Sequence, residues 1–116
     1  MKPGQYDLDI WQGQTFTQEI VWKDGIGTPV DLTNYTARMQ VRKKVKSSTT
    51  EIELTTANGR ISLGTTNGTI TLTISATDTA SLDFTCAVYD LELESQTSVV
   101  TRVLEGSVTL HPEVTR

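Results

Sequence analysis

Apolar and polar residues alternate with period two through most of this chain. That pattern restricts the fold more than any other feature, because successive side chains of a β-strand point to opposite faces. It is clearest between Thr36 and Lys46, where Ala37, Met39, Val41 and Val45 form an apolar series and Arg38, Gln40, Arg42, Lys44 and Lys46 a polar one. Tyr6, Leu8 and Ile10 alternate with Asp7, Asp9 and Trp11. After Gln12-Gly13-Gln14 the run resumes with Phe16, Ile20 and Trp22, which reads as a hairpin-like pair with Trp22 in the core. Ile52 and Leu54, then Ile61 and Leu63, flank Asn58-Gly59, while Asn67-Gly68 introduces Ile70, Leu72 and Ile74. Asn-Gly predicts a tight hairpin because both residues tolerate positive φ. Ala87, Tyr89, Leu91 and Leu93 alternate with Val88, Asp90, Glu92 and Glu94. Ser95-Gln96-Thr97 then turns the chain into a last strand over Val99 to Leu110, with a bulge expected at Glu105-Gly106.

One segment leaves the period. In the stretch from Ser75 to Leu82, Ser75 is placed to cap a helix and Asp78 sits near the positive end of its dipole, so one or two helical turns are expected there, crossing between sheets. About eight strands separated by turn signals give an all-β chain of the sandwich or small-barrel kind. Its 116 residues suffice for one hydrophobic core. The reading is therefore a single domain over 1–116 with short tails at 1–4 and 112–116.

Charge and composition narrow the chemistry. A net charge of −4 opposes the phosphate neutralisation that nucleic-acid binding requires. No stretch approaches the roughly 18 apolar residues of a membrane span, and the opening MKPGQYDLDIWQG has no signal-peptide core. No nucleic-acid or membrane partner and no secretion signal are expected. The single Cys86 allows no intramolecular disulfide and reads as a half-buried, inert thiol. The single His111, beside Pro112, reads as a solvated tail residue without a nucleophile to serve. No zinc-type Cys/His spacing, calcium loop or phosphate-binding Gly-rich loop occurs, so the chain is expected to be no enzyme and to need no metal or cofactor.

What is left is contact with other proteins. Arg38, Arg42, Lys43, Lys44 and Lys46 put half of the ten Lys and Arg residues into nine positions. They read either as edge protection or as a docking patch for an acidic surface. Asp90, Glu92 and Glu94 lie on one face of their strand, as solvated charge or as the matching acidic patch of a neighbouring copy. Trp11 falls on the polar face of its strand, where it either anchors an interface or covers the end of the core.

Three stretches then carry a resemblance: Tyr6 to Phe16 (YDLDIWQGQTF), Val21 to Gly25 (VWKDG) and Pro29 to Arg42 (PVDLTNYTARMQVR). Together with Gly68 to Ile74, Val88 to Leu93, Thr101 to Gly106 and the ending PEVTR, they resemble small virion proteins encoded among the structural genes of tailed bacteriophages and prophages. The segment from Asp31 to Tyr35 is also similar to the N-terminal β domain of phage baseplate proteins. The resemblance implies an immunoglobulin-like or jelly-roll-like β-sandwich with one short helix near 75–82, located in the virion. Its partners would be the major capsid protein or other virion proteins, in a homo-oligomer or symmetric array. A capsid decoration or staple protein is the first expectation. A tail, head-closure or baseplate component is the second, and a carbohydrate-binding module for host attachment the third.

Overall fold

The last strand organises the molecule. In the computed structural model, which describes residues 3–115, nine strands and one short helix follow in chain order. They are β1 (Gly4–Gln5), β2 (Leu8–Trp11), β3 (Phe16–Val21), β4 (Thr36–Arg42), β5 (Ile52–Thr55), β6 (Ile61–Leu63), β7 (Thr69–Ile74), α1 (Ala76–Ala80), β8 (Cys86–Glu94) and β9 (Val100–His111). β9 pairs antiparallel with β8 on one side and parallel with both β1 and β2 on the other. β8 continues to β4 and β5, completing the larger sheet, while β3, β7 and β6 form the smaller one.

This strand order is that of an immunoglobulin-like sandwich. β3, β7 and β6 stand where strands B, E and D stand, and β9, β8, β4 and β5 where G, F, C and C′ stand. Alternation supplies the core: Met39 and Val41 of β4 and Leu91 and Leu93 of β8 meet Ile70, Leu72 and Ile74 of β7, all essentially without solvent contact. Burying each such side chain contributes about 2 kcal/mol.

The sheet assignment corrects three sequence expectations. β2 and β3 are not a hairpin, because Gln12-Gly13-Gln14 carries the chain from one sheet to the other. That corner is fixed to α1. Buried Thr79 donates its Oγ1 proton to the Gln14 carbonyl at 2.9 Å and accepts from the Gly13 N–H at 3.0 Å, and the Gln12 amide reaches the Leu82 carbonyl at 2.8 Å. Asn58-Gly59 is likewise a corner, since β5 pairs with β4 and β6 with β7. The Asn58 side chain accepts from the Thr55 and Arg60 amides, both at 3.0 Å, and so stabilises a local bend that no hairpin follows. Asn67-Gly68, by contrast, does join an antiparallel pair, β6 and β7. The expected helix forms, with Ser75 Oγ capping the Asp78 N–H at 3.2 Å, and it crosses from the smaller sheet to the larger. It is far too short to cross a membrane, and no described helix is long and apolar enough to do so.

The third correction concerns the bulge. Leu91 pairs with Leu104 but Glu92 with Arg102, so the extra residue is Val103, not Glu105 or Gly106. Glycine is required at 106 for a different reason, since any Cβ there would collide with the Tyr6 carbonyl. Opposite it on β8, the buried Tyr89 ring lies across the glycine, and its hydroxyl donates to that same Tyr6 oxygen at 2.6 Å. Burial, with smaller contributions from Asp7 and Tyr6, raises the Tyr89 pKa and holds the phenol in its donating form. At the same place Asp7 Oδ1 accepts from the Ser107 N–H at 3.1 Å, bridging the two-residue gap between β1 and β2. One aromatic side chain thus ties three adjacent strands together.

Tyr89→Phe is expected to cost about 1–2 kcal/mol by leaving the Tyr6 carbonyl unpaired, and Gly106→Ala about 2 kcal/mol or more by steric displacement of the first strand. Urea unfolding curves of the two variants check both values. Because the folded-state pKa of Tyr89 is raised, wild-type stability is expected to fall as pH rises past the unfolded tyrosine value of 10.0. In Tyr89→Phe that alkaline loss should be smaller.

Candidate docking surface

The residues expected to form a basic and an acidic patch meet on one face of the larger sheet. β4 and β8 pair with Arg38 opposite Glu92 and Gln40 opposite Asp90, so the two series interleave within the same molecule. Arg38 Nε contacts Glu92 at 2.9 Å and its Nη1 contacts Glu94 at 3.1 Å. Hydrogen bonding to Glu92, opposed by desolvation and helped by Glu94, raises the Arg38 pKa further above its ordinary range. Asp90 lies 3.6 Å from Arg102, which also approaches Glu105 at 3.9 Å. Arg38 is thereby shared between Glu92 and Glu94, a group that keeps one net negative charge and offers no free cation. Half-exposed pairs of this kind contribute below about 1 kcal/mol each.

The five basic residues divide. β4 ends at Arg42, and Lys43 to Lys46 form its outer turn, so Val45 leaves the apolar series and stands 82% exposed. The guanidinium of Arg42 builds this turn, donating to the Ser47 carbonyl at 2.7 Å and the Gln40 side chain at 2.8 Å. Ser47 closes it: its Oγ accepts from the Lys44 N–H at 2.9 Å and its own N–H donates to the Lys44 carbonyl at 3.0 Å. Among the described residues no ion pair engages Lys43, Lys44 or Lys46. The result is a cationic tip of three exposed ammonium groups around one exposed valine, held by an ordered turn.

Val45 alone of the tip lines a hollow of about 470 Å³ on the sheet face, together with Arg42, Asp90, Arg102 and Glu105. Burial is the main reason that the Asp90 carboxyl is raised above its ordinary 3.8, with Glu92 and Glu105 adding to it against Arg102 and Arg42. No local sequence signal marks this hollow, because its walls come from β4, β8, β9 and the β1–β2 gap.

Trp11 and His111 form a second feature at the end of β2 and β9. They are register partners, their rings stack with centroids 4.6 Å apart and planes 14° apart, and His111 Nε2 lies 3.0 Å from Asp9 Oδ1. His111 is thus the last residue of a strand rather than part of a tail, and Gly4 at the other end belongs to β1. Residues 1, 2 and 116 of the expected tails lie outside the described residues. Trp11 is half-exposed, with one ring face taken by the imidazole, so only the other is open to a sugar or a side chain. Trp22 is half-buried against the core and meets Tyr35 edge to face at 6.2 Å. Cys86, expected to be half-buried, is exposed at the start of β8. Among the described residues no group of three or more His, Cys, Asp or Glu side chains is arranged to hold a metal ion.

The division of the basic series is tested by stability. Lys43→Ala, Lys44→Ala and Lys46→Ala together are expected to change unfolding free energy by less than about 0.5 kcal/mol. Two carboxylates should respond to pH with opposite sign. Asp90→Asn is expected to raise stability at neutral pH, an advantage that fades as pH falls through the elevated Asp90 pKa. Asp78 is lowered from 3.8 first by its hydrogen bond to Arg60. Asp78→Asn should therefore destabilise at neutral pH, and the difference should vanish as pH falls through the depressed Asp78 pKa. Melting temperature against pH for both variants reads the signs directly. Compared with models of known protein families and with curated protein sequences, the chain matches none.

Proposed function

We propose that this chain is a structural protein of a tailed-bacteriophage particle, binding the assembled head in many copies as a decoration or staple protein. The observation that carries the binding reading is the Lys43-Lys44-Val45-Lys46 tip. In a domain with a net charge of −4, these exposed lysines have no ion-pair partner among the described residues, whereas Arg38 and Arg102 do. Three ammonium groups around an apolar side chain complement an acidic surface with a small apolar depression, and the turn that holds them lowers the entropic cost of docking. The phage setting is supported by the resemblance of the segments from Tyr6 to Phe16, Pro29 to Arg42 and Thr101 to Gly106 to small virion proteins. A modest contact repeated over a symmetric shell gives firm attachment without one tight site.

Co-sedimentation with expanded, mature heads of the parent phage tests this function. The wild-type protein should bind in many copies per head, and reversing the charge at Lys43, Lys44 and Lys46 should reduce occupancy at least about tenfold, with binding of the wild type falling as salt rises. Absence of wild-type binding to such heads would rule the decoration role out.

A further inference from the structure

The sandwich has several sheet edges, and all but one are blunted. β6 has three residues. On β5 the Glu53 carbonyl is capped by the Asn58 amide at 3.0 Å and the Arg60 guanidinium at 2.9 Å. The edge formed by β1 and β2 is interrupted at Tyr6 and Asp7. β3 runs uninterrupted for six residues and, among the described residues, pairs only with β7. Long, flat, weakly charged edges are what folded proteins normally avoid or use for pairing.

The phase of its ladder shows what β3 presents. Trp22 N–H donates to the Gly68 carbonyl at 2.9 Å, continuing the register in which Ile20 pairs with Ile70 and Gln18 with Leu72. By alternation, the main-chain groups of Phe16, Gln18 and Ile20 face β7, and those of Thr17, Glu19 and Val21 face outward. Among the described residues, the hydrogen bond on this edge comes from the Gln18 side chain, whose amide donates to the Glu19 carbonyl at 3.2 Å. Beside the strand, shallow hollows separate β3 from β1 and β2, with Ile20 and Leu104 lining two of them and Trp11 a third. Tyr6, Trp11 and Val21, each between 44% and 50% exposed, stand along the same side.

We infer that a second copy of this chain docks there, β3 against β3 in antiparallel fashion, joining the two smaller sheets into one. The strand is complementary to itself about a two-fold axis at Gln18. In that register Phe16 faces the second copy's Ile20 on the core side, and Thr17 faces its Glu19 on the solvent side. The Thr17 and Glu19 pairs each exchange two main-chain hydrogen bonds. Centring the axis on Glu19 would set two carboxylates opposite each other, and centring it on Thr17 would set Phe16 against Gln18, so sequence selects the register. The contact also covers apolar surface at Val21 and Ile20. It uses neither the lysine tip nor the arginine–glutamate face and does not depend on the virion role, so either conclusion stands if the other fails.

Disulfide trapping tests the register in a Cys86→Ser background. At a two-fold axis through a non-hydrogen-bonded pair, Gln18 Cα atoms approach to about 4.5 Å, within disulfide range, whereas Glu19 Cα atoms lie diagonally, beyond about 7 Å. Gln18→Cys should cross-link into a dimer under mild oxidation and Glu19→Cys should not. Native mass spectrometry of the unmodified chain should show dimer at concentrations up to about 100 μM. Thr17→Pro, which removes an outward N–H unused within one copy, should shift it at least about tenfold toward monomer. A wild type that is monomeric throughout, a Glu19→Cys that cross-links as well as Gln18→Cys, or a dimer untouched in a folded Thr17→Pro variant would overturn the inference. Should Thr17→Pro not fold, the cysteine pair and the wild-type mass decide it alone.

Discussion

Where the first strand pairs determines most of what this molecule presents to others. β1 and β2 lie parallel to β9, in the same register on both sides of their gap, and they give the larger sheet its outer edge. In a sandwich of this topology the same segment has another available neighbour, the strand that here is β3. Given to β9, it leaves β3 bare. The choice is enforced by contacts that only β8 and β9 provide: the Tyr89 hydroxyl on the Tyr6 carbonyl, the clearance over Gly106, and the Asp7 carboxylate on the Ser107 amide. A buried phenol and a glycine on adjacent strands thereby leave an open edge on the opposite sheet.

The charged surface follows from strand pairing in the same way. Opposite charges that look like two docking patches along the chain fall on neighbouring strands and pair with each other, because antiparallel pairing of β4 with β8 sets Arg38 beside Glu92. The charge available for a partner is the part that runs past the end of β4. There Arg42 and Ser47 shape a turn, and among the described residues no ion pair engages the three lysines. Folding has sorted one basic run into a half that shapes the sheet face and turn and a half that stands exposed.

Period-two alternation made the strands and nearly all of the core legible, since it is a local property of each segment. Partners are not local. The Gln12-Gly13-Gln14 and Asn58-Gly59 breaks look like hairpin turns along the chain, and only the pairing of β2 with β9 and of β5 with β4 shows that they switch sheets. Gly106 marked a special position correctly but for the wrong cause, as an isolated strand glycine signals either a bulge or a close backbone approach. The adjacent apolar residues Val103 and Leu104, which break the alternation, were the true sign of the bulge. Val45 shares the phase of Ala37, Met39 and Val41, but Lys43 already occupies the apolar position between, and β4 ends at Arg42, ahead of the Ser-Ser-Thr-Thr run that marks a break. Along the chain His111 is marked only by the proline beside it, and its stacking on Trp11 depends on a parallel pairing that spans nearly the whole sequence.

The pairing of the first strand is open to direct measurement by residue-resolved amide hydrogen exchange. Tyr6 and Gln12 amides donate to the Glu105 and His111 carbonyls, each at 3.0 Å, and by the same alternation Leu8 and Ile10 amides face β9. In dilute solution Leu8 and Ile10 should exchange slowly together with Gln18 and Ile20, while Thr17, Glu19 and Val21 should exchange rapidly and gain protection only as concentration rises. Protection of Thr17, Glu19 and Val21 that is independent of concentration, with Leu8 and Ile10 exchanging freely, would mean that the first strand lies on β3 and would contradict the account.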